Sequence, residues 1–223
     1  MTKKPEYSDQ TKAETDLNNA VQKAKKIIKD IKKEKDLPVE VVCIVDRSGS
    51  MQTIHGDVIG GINSFIEEQK KVKGKANLTL IEFDDKYNVI QSRQDLQKAK
   101  EVTKEDFKPR GMTALNDAIG KAVTEFVALK EANKINKAIF CIMTDGQENA
   151  STEFKSKAAL KALTERVQKE YDWQFVYLAA NQDAFAEGSQ YGFTTNMNYA
   201  ANAQGVASAL RSYSANVTSY RSK

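Results

Sequence analysis

Asp46, Ser48 and Ser50 place three oxygen-bearing side chains at alternate positions, directly after an apolar run that reads VEVVCIVDRSGS from Val39 to Ser50. Two further groups of the same kind occur later in the chain. Thr113 stands at the head of a periodic apolar segment, and Asp145 follows a second apolar run, KAIFCIM. Two carboxylates and three hydroxyls, with no imidazole or thiolate among them, are hard oxygen ligands. They suit Mg²⁺, with Mn²⁺ as an alternative, over zinc or copper. Two carboxylates neutralise a divalent ion without surrounding it with excess negative charge. The three neutral hydroxyls keep it electrophilic, and able to accept an anionic oxygen from outside.

These residues can meet only if the intervening elements bring them together. Val39 to Val45 is near-continuously apolar and β-branched, as a strand covered on both faces should be. Val58, Ile59, Ile62, Phe65 and Ile66 recur at helical spacing as far as about Val72, and Gly74 ends that helix. Ala76 to Phe83 is a second strand. Asp84-Asp85 is a turn too short for a crossover, so Tyr87 to Ser92 must run antiparallel to it. Thr103 caps a short helix stopped before Pro109. Leu115, Ala118, Ile119, Ala122, Val123, Phe126 and Val127 form a largely buried helix. Lys137 to Met143 is a strand. A helix from about Glu153 to Tyr171, capped by Ser151 or Thr152, leads to the strand Trp173 to Ala179. A short helix to Gly188, a weak strand at Phe193 to Met197 and a C-terminal helix carrying Val206, Leu210, Tyr213, Val217 and Tyr220 complete the chain. Strands alternating with helices give an α/β fold with a mostly parallel sheet and helices on both faces. A parallel sheet carries all five oxygen-bearing residues to its carboxyl edge, where open α/β folds hold their sites.

Asp46-x-Ser48-x-Ser50, the later Gly111-Met112-Thr113, and Thr144-Asp145-Gly146 resemble the metal-ion-dependent adhesion site of the von Willebrand factor A family. The resemblance covers the pattern from Val39 to about Met197, and NQDAF at 181–185 is similar to stand-alone bacterial and phage members. It implies a Rossmann-like, doubly wound, six-stranded sheet of order 3-2-1-4-5-6 with one antiparallel edge strand. It further implies Mg²⁺ held by Ser48, Ser50 and Thr113, with Asp46 and Asp145 bound directly or through water. The open coordination position would then take a Glu or Asp from a partner protein.

Catalytic readings lack their players. A haloacid-dehalogenase-type phosphatase needs a second Asp two residues after the first, and Ser48 stands there. No GxxxxGK[ST] occurs, and the turn after the first strand has only one glycine. A serine nucleophile needs a base, and His55, the sole histidine, sits at the start of the first helix. The expectation is therefore a non-enzymatic binding module with no catalytic residues. A metal-dependent phosphoester hydrolase on the same frame, and an assembly component with a structural metal, remain alternatives. Arg47, Asp84, Asp85, Gln147, Glu148, Asn149, Gln182 and Asp183 lie on the metal edge and form a candidate partner-binding rim, although loop chemistry and helix capping would also account for them, and Arg47 could equally pair with a neighbouring acid.

Residues 1–37 differ from the 38–223 domain. Between Ser8 and Lys35 there is no Gly or Pro, Val21, Ala24, Ile28 and Ile31 fall at helical spacing, and lysines crowd the second half. This is a Lys-rich amphipathic extension, expected to lay its apolar stripe on the main domain or to dock on an anionic partner. It ends where Pro38 disfavours helix at the residue before it. Across the whole chain, 34 Lys+Arg against 30 Asp+Glu leave only +4, which does not call for a nucleic-acid partner. The N-terminus has no signal-peptide core, and no apolar run approaches the roughly 18 residues of a membrane span. Cys43 and Cys141 lie in apolar runs as small hydrophobes. The expected setting is the cytoplasm.

Overall fold

A computed structural model describes residues 19–29, 36–180 and 183–222. The chain divides into two units, Met1–Leu37 and Pro38–Lys223. In the first, residues 19–29 are helical and are designated α1.

The second unit is built on β1 (Val39–Asp46), whose eight residues are all buried. β2 (Ala76–Phe83) pairs with it in parallel on one side and β4 (Ala138–Thr144) on the other. β3 (Tyr87–Asp95) lies antiparallel to β2, while β5 (Gln174–Ala180) and β6 (Thr195–Tyr199) extend the parallel sheet beyond β4. The order is β3-β2-β1-β4-β5-β6, so the sheet has the doubly wound arrangement that the resemblance implies.

Alternate residues of β1 enter different cores, as the two-residue period of a strand requires. Val41, Cys43 and Val45 pack with α2 (His55–Lys70) and α6 (Ala203–Arg221). Val42 and Ile44 pack with α3 (Leu115–Glu131), α4 (Lys157–Tyr171) and α5 (Ala184–Gln190). Each fully buried side chain of this size contributes roughly 1.5–3 kcal/mol. Ring pairs reinforce both layers: Phe140 stacks on its cross-strand neighbour Phe175 at 4.7 Å, and Phe65 of α2 stacks on Tyr213 of α6 at 5.0 Å.

The elements differ from the sequence expectation at β6, found at Thr195–Tyr199 and expected at Phe193 to Met197, and in three further places. Thr103 caps no helix; its hydroxyl and N–H both donate to Asp106, closing a turn on itself. α4 starts at Lys157, because Asp117 of α3 takes the N–H groups of Thr152, Glu153 and Phe154 and holds them outside any helix. Ser156, not Ser151 or Thr152, is its cap, accepting from the Ala159 N–H. Finally, β3 runs on to Asp95, with register shifts around Leu80 and a positive φ of 44° at Arg93. These irregularities let an exposed edge strand follow β2 for its whole length.

Candidate metal centre

The strand order reverses between β1 and β4, and the residues singled out in the sequence stand at the carboxyl ends of those strands. Asp46, the last residue of β1, is fully buried. Its Oδ1 accepts the Ser48 N–H at 2.6 Å and its Oδ2 accepts the Thr144 hydroxyl at 2.6 Å, so the carboxylate joins β1 to β4. Ser48 Oγ lies 3.0 Å from Ser50 Oγ, which in turn donates to Asp145 Oδ1 at 2.5 Å. Ser48, Thr113 and Asp145 are buried and Ser50 is exposed. The cluster has a closed floor and an open mouth.

Thr113 joins it from a third segment. A side-chain carbon on Gly146 would lie 3.3 Å from Thr113 Oγ1, 3.7 Å from Ser50 Oγ and 3.9 Å from Asp46 Oδ2. Oxygens from two separate segments therefore converge beside the glycine backbone of a third. Among the described residues no group of three or more His, Cys, Asp or Glu side chains could hold a metal ion. An ion among Thr113, Ser50 and Asp46 would find carboxylate and hydroxyl donors, with Ser48 and Asp145 both adjoining Ser50, and would keep positions for water or for an outside ligand. The donor set and the cradle both fit Mg²⁺.

Electrostatics point the same way. Burial pushes the Asp46 carboxyl up to about 6, against the hydrogen bonds from Thr144 and Ser48, and the nearby Asp145 adds to the rise. Burial also raises Asp145, again opposed by Ser50. Both groups ionise reluctantly without a positive partner, and a divalent cation in the cradle would favour their charged forms.

The proposed rim divides. Arg47 and Asp84 are buried and pair inward. Arg47 Nη1 donates to Glu82 Oε1 at 2.5 Å, and Arg47 Nε lies 3.1 Å from Asp84 Oδ2. Glu148 is half-buried and accepts from the N–H groups of Asn116, Ala150 and Ser151, holding the head of α3 against the loop after β4. Asp183 is exposed and caps α5 through the Phe185 and Ala186 N–H groups. Gln147 is exposed, and Gln182 lies outside the described residues. His55 Nδ1 stands 3.0 Å from the Gln52 carbonyl oxygen at the start of α2.

Asn149, which follows β4 on the metal edge, is bonded to Thr113. One residue that matters to the site escaped the sequence reading: Glu82 pairs with Arg47, and its signal was a charged residue inside the buried strand ANLTLIEF.

A doubly wound sheet with this loop set at its switch point defines a Rossmann-like α/β domain. The von Willebrand factor type A domain profile matches residues 40–214, and the chain belongs to that family. No curated protein matches it. Several solved structures share the fold. A von Willebrand factor type A protein from Catenulispora acidiphila is 16% identical with a TM-score of 0.56, over 82% of this chain and 43% of that one. Proximal thread matrix protein 1 from the mussel byssus, with a zinc-occupied MIDAS motif, is 14% identical with a TM-score of 0.53, over 79% and 47%. Manganese-loaded TRAP protein from Plasmodium vivax is 15% identical with a TM-score of 0.53, over 80% and 74%. The chain thus spans less than half the length of the first two. Among the described residues no helix is long and apolar enough to cross a membrane.

Proposed function

We propose that this chain is a non-enzymatic, Mg²⁺-dependent protein-binding module. Ser48, Ser50 and Thr113 would hold the ion, with Asp46 and Asp145 bound directly or through water, and Mn²⁺ as a substitute. The observation that carries this reading is the convergence of Thr113, Ser50 and Asp46 oxygens on one point beside Gly146. The fold-mates described with zinc and with manganese are consistent with it. The bound ion supplies a Lewis-acidic position facing solvent, which a Glu or Asp of a partner protein completes. The protein's own groups fix that position: Asp46 ties β1 to β4, and Ser50 stands at the open mouth. Cys43 and Cys141 are buried free thiols, which accords with a cytoplasmic setting.

The test is selection of random displayed peptides on the Mg²⁺-saturated protein. Selected peptides should be rich in Asp or Glu, should be released by EDTA, and should not bind the Asp46→Ala variant. Peptides retained undiminished in EDTA would sink the metal-bridge reading.

A further inference from the structure

Asp84 lies at the end of β2 with no exposure, yet it touches both of the first two site loops. Its Oδ2 accepts from Arg110 Nε at 2.8 Å and faces Arg47 Nε at 3.1 Å, while its Oδ1 accepts the Lys86 N–H at 2.7 Å. Its main-chain oxygen takes the Ala114 N–H at 2.8 Å. Arg47 stands between Asp46 and Ser48, and Arg110 and Ala114 bracket Thr113 in sequence. One carboxylate and one carbonyl of a single residue therefore hold the segment carrying the two serines and the segment carrying the threonine.

The backbone completes the join. Arg110 N donates to Arg47 O at 2.8 Å, and Gly49 N to Gly111 O at 3.3 Å. Gly111 adopts φ +69°, and a side-chain carbon there would approach Asp85 Oδ1 to 2.5 Å. Arg47 is fixed from its other end by Glu82, whose Oε1 also accepts from Asn88 Nδ2 at 2.7 Å. This is more buried charge than loop closure needs. Two cations on one buried carboxylate fix a distance between loops, because neither guanidinium can leave without stranding charge.

We infer that Asp84, acting through Arg47 and Arg110, is a positioning residue that sets the spacing of Thr113 from Ser48 and Ser50 and thereby the affinity of the site for its ion. The inference rests on the metal-binding reading above. Groups behind metal ligands that orient them typically change affinity by about 10–100-fold when removed. The spacing acts on ion affinity and leaves the sheet intact, since the clamp lies at the loops and not between strands.

The experiment is a calorimetric Mg²⁺ titration of the full chain and three variants, with thermal melts of each in EDTA. Asp84→Asn keeps the size and removes the charge. Arg110→Gln breaks one arm at a half-exposed side chain and strands no buried cation, so it should fold even where the first variant does not. Arg110→Gln is expected to weaken Mg²⁺ binding about 10-fold or more, with the metal-free melting temperature near wild type. Arg110→Lys, which keeps a cation on Asp84, should recover part of that affinity. Wild-type affinity in a folded Arg110→Gln variant overturns the clamp and leaves the metal reading standing. Absence of Mg²⁺ binding by the wild type itself overturns both.

Discussion

Asn149 and Thr113 are bonded to each other twice: Asn149 Oδ1 accepts the Thr113 N–H at 2.9 Å, and the Asn149 N–H donates to Thr113 O at 3.0 Å. The pair seals the loop after β4 onto the segment that carries the threonine. On the opposite side the same segment is held by Asp84, so Thr113 is fixed from two directions. Asn149→Ala is expected to weaken Mg²⁺ binding about 10-fold, the usual effect of removing a group that orients a metal ligand. Calorimetric titration would show it, and unchanged affinity would mean that the main-chain bond alone suffices.

Asp117 gives a prediction about acid stability. Burial alone would raise its pKa, but the N–H groups of Phe154, Thr152 and Glu153 outweigh that, and the Lys121 charge assists. The folded state holds this carboxyl below its unfolded value, so the folded chain binds fewer protons in the carboxylate range. Its contribution is therefore fully present above about pH 4 and is lost as pH falls further. Asp117→Asn should cost about 1.5–3 kcal/mol at neutral pH and should flatten the acid limb of the stability curve. Urea unfolding of both proteins from about pH 3 to about pH 7, which spans the unfolded carboxylate range near 4, checks both; a constant difference across that range would count against it.

Gly120 lies one turn further along α3, beneath the ring that Asp117 anchors. A side-chain carbon there would come within 2.3 Å of Phe154 Cγ and Cδ1. Gly to Ala inside a helix normally gains about 1 kcal/mol from propensity. Here overpacking, typically 1–3 kcal/mol, should reverse the sign. A Gly120→Ala variant that melts above wild type would show that Phe154 moves aside freely.

Much of this was legible in the sequence, and the boundary of legibility is physical. β1, β4 and β5 are covered on both faces, so their composition announces them, and the Asp-x-Ser-x-Ser spacing stands out because a buried strand seldom ends that way. The inward turn of Asp84 was not legible, and for Arg47 pairing with an acid was one of two open readings. In sequence both sit in loops on the metal edge, where exposed and buried charges read alike. Only the pairing of β1 with β2 puts Glu82 and Asp84 beside Arg47. The start of α4 was hidden for the same reason, since the side chain that holds off the helix belongs to α3.

The bonds that close the site join residues far apart along the chain: Ser50 and Asp145 are separated by 95 positions, Asp46 and Thr144 by 98. At the roughly 5–20 residues per second of synthesis, β1 and its serines emerge several seconds before the strand that completes them. Through that interval the central strand of the sheet has an open edge on the side later taken by β4, a place where other chains can add. Asp46, Ser48 and Ser50 emerge together, but Thr113 and Asp145 follow later, so the full donor set exists only once β4 has paired. On the metal-binding proposal an ion would reward the finished sheet most, stabilising the end of folding and leaving the nascent chain's weakest moment to other protection.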